Sequence, residues 1–118
     1  MSRRILVVDD EADVRTFIAT VLKKGGHEAV TAENGAEALL AVRENKPDLV
    51  ILDLQMPEKT GTEFYRQLSK DSALSDIPII VVSGLAGRHL AIRKPVAVFD
   101  KPIDPEKFIE AVDKAIGD

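Results

Sequence analysis

Four short runs of consecutive apolar, largely β-branched residues constrain this chain more than any other feature: Ile5–Val8, Leu49–Leu52, Ile79–Val82 and Val96–Phe99. A strand with one wet face alternates apolar and polar residues. These runs are apolar on successive residues, which suits a parallel sheet covered on both faces. Each is followed at once or soon after by polar or turn residues. A fifth, weaker run, Glu28–Ala32, mixes polar and apolar side chains and suits a sheet edge.

Amphipathic segments separate the runs. In Asp13–Lys24, Val14, Phe17, Ile18, Val21 and Leu22 fall on one helical face, and Lys23, Lys24, Gly25 and Gly26 end it. Asn34 with Glu37 makes a capping box for a helix reaching about Asn45, before Pro47. A third helix runs from Thr62 to about Lys70 and carries Phe64, Tyr65 and Leu68. Near the C-terminus Asp104 and Pro105 have N-cap and N1 chemistry, and Phe108, Ile109, Val112 and Ile116 form the stripe to be buried.

Strands alternating with helices at this spacing give βαβ units with right-handed crossovers. The expected fold is α/β: a flavodoxin-like, doubly wound, five-stranded parallel sheet of order 2-1-3-4-5 with helices on both faces. The 118 residues suffice for one core and one domain. There is no cysteine, so disulfides and thiolate chemistry are excluded, and with only two histidines, His27 and His89, any metal is expected on oxygen. Both histidines are expected at the surface. The net charge is -4 and the basic residues are scattered, which argues against nucleic-acid binding. No apolar run is long enough for a membrane span, and the stretch after Arg4 stops too soon for a signal peptide, so a cytoplasmic address is expected.

Open α/β sheets bind ligands at the carboxyl ends of their strands. Those positions hold Asp9 and Asp10 after the first strand, Asp53 after the third, Ser83 after the fourth and Lys101 after the fifth. An acid at any one of these points also suits a helix cap or a turn. Three carboxylates, a hydroxyl and an ammonium at four strand ends do not reduce to that. Carboxylates held together repel, and a hard divalent ion offsets the repulsion. Mg2+ prefers one or two carboxylates, a carbonyl and several waters. Such a site could bind a phosphoryl group, with the ion on one oxygen, Lys101 on another and Ser83 on a third, while one carboxylate attacks.

With Val7-Val8-Asp9-Asp10-Glu11, Leu52-Asp53-Leu54-Gln55-Met56-Pro57 and Gly61, Val82-Ser83-Gly84 and Asp100-Lys101-Pro102 in this order, the whole chain, 1–118, resembles a CheY-like response-regulator receiver domain. The resemblance implies a two-component phosphoacceptor switch, not an enzyme in its own right, with Asp53 taking a phosphoryl group from a histidine kinase or histidine phosphotransfer protein. It implies Mg2+, or alternatively Mn2+, held by Asp10, Asp53 and the backbone carbonyl of Gln55, with Asp9 acting through water. It makes Ser83 the switch hydroxyl, Lys101 the phosphoryl partner and the bond before Pro102 a candidate cis peptide. Phosphorylation would shift the surface of the fourth helix, fifth strand and fifth helix, through which a downstream target docks and a homodimer is conceivable. No output domain is expected in this chain.

Some positions depart from the family. Val98 stands where an aromatic switch residue is common, and Phe99 beside it suits the core. The segment from Ser83 to Lys101 is shorter than usual by about four residues, one helical turn, and with Gly84, Gly87 and Pro95 it predicts a shortened or irregular fourth helix. Arg88, His89, Arg93 and Lys94 there suit a solvated basic face. Two other readings compete. A receiver-like module that binds protein without phosphorylation would not need all five site residues. A haloacid-dehalogenase-type phosphatase would usually carry a second Asp where Gln55 stands.

Overall fold

The structure is a computed structural model that describes residues 3–53, 60–82, 97–99 and 103–117. Along the chain come β1 (Arg4–Val8), α1 (Ala12–Lys24), β2 (Glu28–Ala32), α2 (Gly35–Glu44), β3 (Leu49–Asp53), α3 (Thr60–Lys70), β4 (Ile79–Val82), β5 (Ala97–Phe99) and α4 (Pro105–Ala115). Here α4 is the C-terminal helix, the fifth in the sequence-based numbering. The helix expected between β4 and β5, and Val96 at the start of β5, lie outside the described residues.

All four strand pairings are parallel, in the order β2-β1-β3-β4-β5. Hydrophobicity accounts for the three inner strands and for the β2 edge, but not for β5, which is apolar and still ends the sheet. β1, β3 and β4 carry the continuous apolar runs, and β3 and β4 are buried at every position, as is β1 after Arg4. The mixed run of β2 falls at an edge, with only Ala32 buried.

Because side chains alternate along a strand, each buried strand feeds two cores. Leu6, Val8, Val50, Leu52, Ile79 and Val81 meet Ala38 and Val42 of α2 and Phe64 and Leu68 of α3, with Tyr65 at the margin. Ile5, Val7, Leu49, Ile51, Ile80 and Val82 meet Ile18 and Leu22 of α1 and Phe108 and Val112 of α4. Phe99 joins the second core, its ring edge-on to Phe108 at 5.6 Å and 74°. It packs, as expected.

The caps follow the sequence closely. Asn34 Oδ1 accepts from the Glu37 amide at 2.9 Å, although Glu37 Oε1 accepts from the Glu33 amide at 3.2 Å and not from Asn34. Asp104 Oδ1 accepts from the amides of Glu106 and Lys107 at 3.0 and 3.3 Å, ahead of Pro105 in the first turn. Gly26 sits at φ 87°, a left-handed conformation that glycine adopts without strain.

Two expectations are corrected. Phe17 is 42% exposed. The contact of α1 with the sheet centres on Ile18 and Leu22 and takes in Ala19, leaving Phe17 at the edge of the apolar arc. His27, expected at the surface, is buried, and its Nε2 shares a hydrogen bond of 2.9 Å with Asp113 Oδ1 on α4. The partner lies 86 residues away in the chain, so no local pattern reveals that α4 covers this histidine.

Candidate functional site

The strand register sets the ends of β1 and β3 at one level. Val8 pairs with Leu52 and, on its other side, with Ala32, so Asp9 emerges beside Asp53, the last residue of β3. Asp9 and Asp53 are each 1% exposed, and Asp10 and Glu11 are exposed above them. Carboxylate oxygens of Asp9, Asp10, Glu11 and Asp53 all lie within 4.8 Å of one another.

The turn from β1 into α1 is tied at several points. The Asp9 amide donates to the Ala32 carbonyl at 3.1 Å, extending the β1–β2 ladder by one residue. Asp9 Oδ1 accepts from the Glu11 amide at 2.9 Å, an Asx-type turn that commits one oxygen of that carboxylate to the backbone. Arg15 Nη1 donates to the Asp9 carbonyl at 2.8 Å. Glu11 occupies the N-cap position of α1 without capping it through its side chain, and that carboxylate joins the cluster.

Two buried carboxylates this close repel by about 3.5 kcal/mol at an effective dielectric constant of about 20. A divalent cation would reverse the sign of that interaction. The donors among the described residues are all carboxylate oxygens, with no imidazole or sulfur, which fits a hard cation such as Mg2+ or Mn2+. The split between a buried pair and an exposed pair also fits an ion that keeps part of its water. The cluster is thus an acidic pocket able to hold a metal ion.

The model of the response regulator receiver domain matches residues 5–113. The chain belongs to the response-regulator receiver family. It is similar to the protein Rrf1 of Nitratidesulfovibrio vulgaris, at 32% identity over 98% of this chain and 84% of the relative. It is likewise similar to the polar-differentiation response regulator DivK of Brucella anthropi, at 34% identity over 100% of this chain and 99% of the relative. Among solved structures, chemotaxis protein CheY4 of Vibrio cholerae superposes with a TM-score of 0.87 at 26% identity, over 98% of this chain and 99% of that one. The fold is therefore that of the CheY-like receivers of two-component signalling.

Of the receiver-domain positions picked out in the sequence, the structure brings Asp9, Asp10 and Asp53 together. Gln55, Ser83, Lys101 and Pro102 lie outside the described residues. Two members of the site carried no role in the sequence reading. Glu11 was within reach of it, as the third acid of Asp9-Asp10-Glu11. Arg15 had no such signal, because its bond is to a backbone carbonyl six residues back. Among the described residues no helix is long and apolar enough to cross a membrane.

Proposed function

We propose that this receiver accepts a phosphoryl group on Asp53 and thereby switches a surface that docks to a partner protein. The observation that carries the reading is a buried carboxylate at the end of β3, within 4.8 Å of three others on the turn after β1. Mg2+, with Mn2+ as the alternative, would be held by Asp10, Asp53 and the Gln55 carbonyl, with Asp9 acting through water. When bound, the ion supplies charge neutralisation for the incoming phosphoryl oxygens.

The chain's own residues do the rest. A carboxylate oxygen of Asp53 forms the new P–O bond as the P–N bond of a donor phosphohistidine breaks, and the imidazole nitrogen keeps the electron pair and takes up a proton. Asp9 is placed to order rather than to attack, because one of its oxygens is committed to the Glu11 amide. Lys101 would pair with the phosphoryl group and Ser83 would donate to it and be drawn toward it. The donor in this reading is a histidine kinase or histidine phosphotransfer protein in the cytoplasm. The response is docking of a downstream target, not catalysis on a separate substrate.

Incubation with a phosphorylated histidine phosphotransfer protein tests this. Transfer to the wild type and none to Asp53→Asn is expected. Transfer that persists in Asp53→Asn would refute the assignment of the acceptor. Retained target binding without any transfer would favour the phosphorylation-independent module.

A further inference from the structure

We propose that Arg15 is a positioning residue for the acidic rim: its guanidinium clamps the turn between β1 and α1 so that Asp9, Asp10 and Glu11 stand ready for the cation. The proposal rests on the functional reading above, because it concerns the same metal site.

Arg15 is unusual for its place. It lies in the opening turns of α1, where the helix dipole favours acids and disfavours a cation. Its backbone amide donates to the Glu11 carbonyl at 3.0 Å as the helix begins, while its side chain folds back and donates to the Asp9 carbonyl at 2.8 Å. That carbonyl lies one residue beyond the last β1–β3 pair, Val8 with Leu52, where the chain leaves the sheet. The clamp therefore acts where ladder pairing to β3 has stopped and the metal-binding carboxylates begin.

The geometry around Asp9 is then fixed on three sides: by Ala32 on its amide, by the Glu11 amide on its carboxylate and by Arg15 on its carbonyl. The first two bonds hold the residue and its side chain. Arg15 sets the direction of the peptide that leads to Asp10. Without that bond the turn samples orientations in which the Asp10 carboxylate leaves the cluster, and the cation must bear the cost of reordering it.

A second account of Arg15 is pure charge: a cation near several carboxylates that lowers their mutual repulsion. The two accounts predict opposite results. If Arg15 acts only as charge, Arg15→Gln leaves the cluster more negative and binds a divalent cation more tightly, and Arg15→Lys behaves as wild type. If Arg15 positions the turn, both variants bind more weakly, because neither reproduces the reach and planar donor set of the guanidinium.

The test is a Mg2+ titration of the full chain followed by amide chemical shifts, together with hydrogen exchange of the Asp10 and Glu11 amides without metal. Positioning predicts Mg2+ affinity about threefold to tenfold weaker in both variants, the range for loss of one hydrogen bond of ordinary net strength. It also predicts faster exchange at Asp10 and Glu11, with unchanged exchange in β3 and β4 as proof that the fold is intact. Wild-type affinity in both variants, or tighter binding by Arg15→Gln, would overturn the proposal and leave the metal site standing. A wild type that does not bind Mg2+ at all would overturn the metal reading and this proposal with it.

Discussion

Breaking the contact between Phe99 and Phe108 should reveal a coupling energy that identifies Phe99 as part of the core. Phe108 is 1% exposed and Phe99 is half-buried, with the rings 5.6 Å apart and 74° between planes. That is an edge-to-face pair, worth about 1 kcal/mol beyond the area it buries. Phe108→Leu keeps most of the apolar volume but changes its shape, for about 1 kcal/mol, and loses the pair as well, about 2 kcal/mol in all. Phe99→Leu should cost about 1.5 kcal/mol, since the ring is less enclosed and its packing share is smaller. The double variant loses the pair only once and should cost about 2.5 kcal/mol, about 1 less than the sum of the single changes. With an unfolding entropy near 2.1 cal/mol/K per residue over 118 residues, Phe108→Leu alone should lower Tm by about 8 °C. Urea unfolding of the four proteins measures the cycle. Additivity within about 0.3 kcal/mol would mean that the rings do not interact, and the reading of Phe99 as a packing residue would fail.

Three further outcomes follow from other parts of the fold. Asp113→Ala leaves the buried His27 Nε2 without its acceptor and should cost about 1–2 kcal/mol in urea unfolding; no change would mean that solvent replaces the carboxylate. Asp104→Ala removes an acceptor from two amides at the start of α4 and should cost about 1 kcal/mol, with Asp104→Asn nearly neutral. Glu63 on α3 accepts from Arg66 in a two-pronged ion pair and also from Gln67, which together lower its pKa to about 2. Its depressed value means that any stabilisation from the pair is present above the ordinary carboxylate range and is lost as pH falls toward 2. The group is exposed, so an NMR titration, not a melting curve, should detect it, and Arg66→Ala should move the midpoint back toward the ordinary range.

Strand positions were legible because burial on both faces leaves continuous apolar runs that β-branched residues mark as strands, and the sheet order because strands alternating with helices make a doubly wound, flavodoxin-like fold. Asp104 and Asn34 were legible as caps because capping is a local pattern. His27 was not, because its environment is decided by α4, which is remote from it in sequence, and neither was Phe17, because helical periodicity places it on the apolar face without showing that the face turns toward the sheet at Ile18 and Leu22. The acidic cluster was readable in three of its four acids, since Asp9, Asp10 and Asp53 each stand where a buried strand ends. Glu11 and Arg15 were missed for different reasons. Glu11 reads as an ordinary residue at a helix start until the cluster is assembled, and the role of Arg15 depends on where it folds back to.

On the proposed function, Asp53 is a metal-dependent phosphoryl acceptor. The most direct test is intact mass after incubation with acetyl phosphate, with Mg2+ and with the metal removed by chelation, on the wild type and Asp53→Asn. One phosphoryl adduct is expected on the wild type; it needs Mg2+, is released by hydroxylamine and is absent from Asp53→Asn. An adduct that forms equally well without metal, or that survives on Asp53→Asn, would contradict the proposed function.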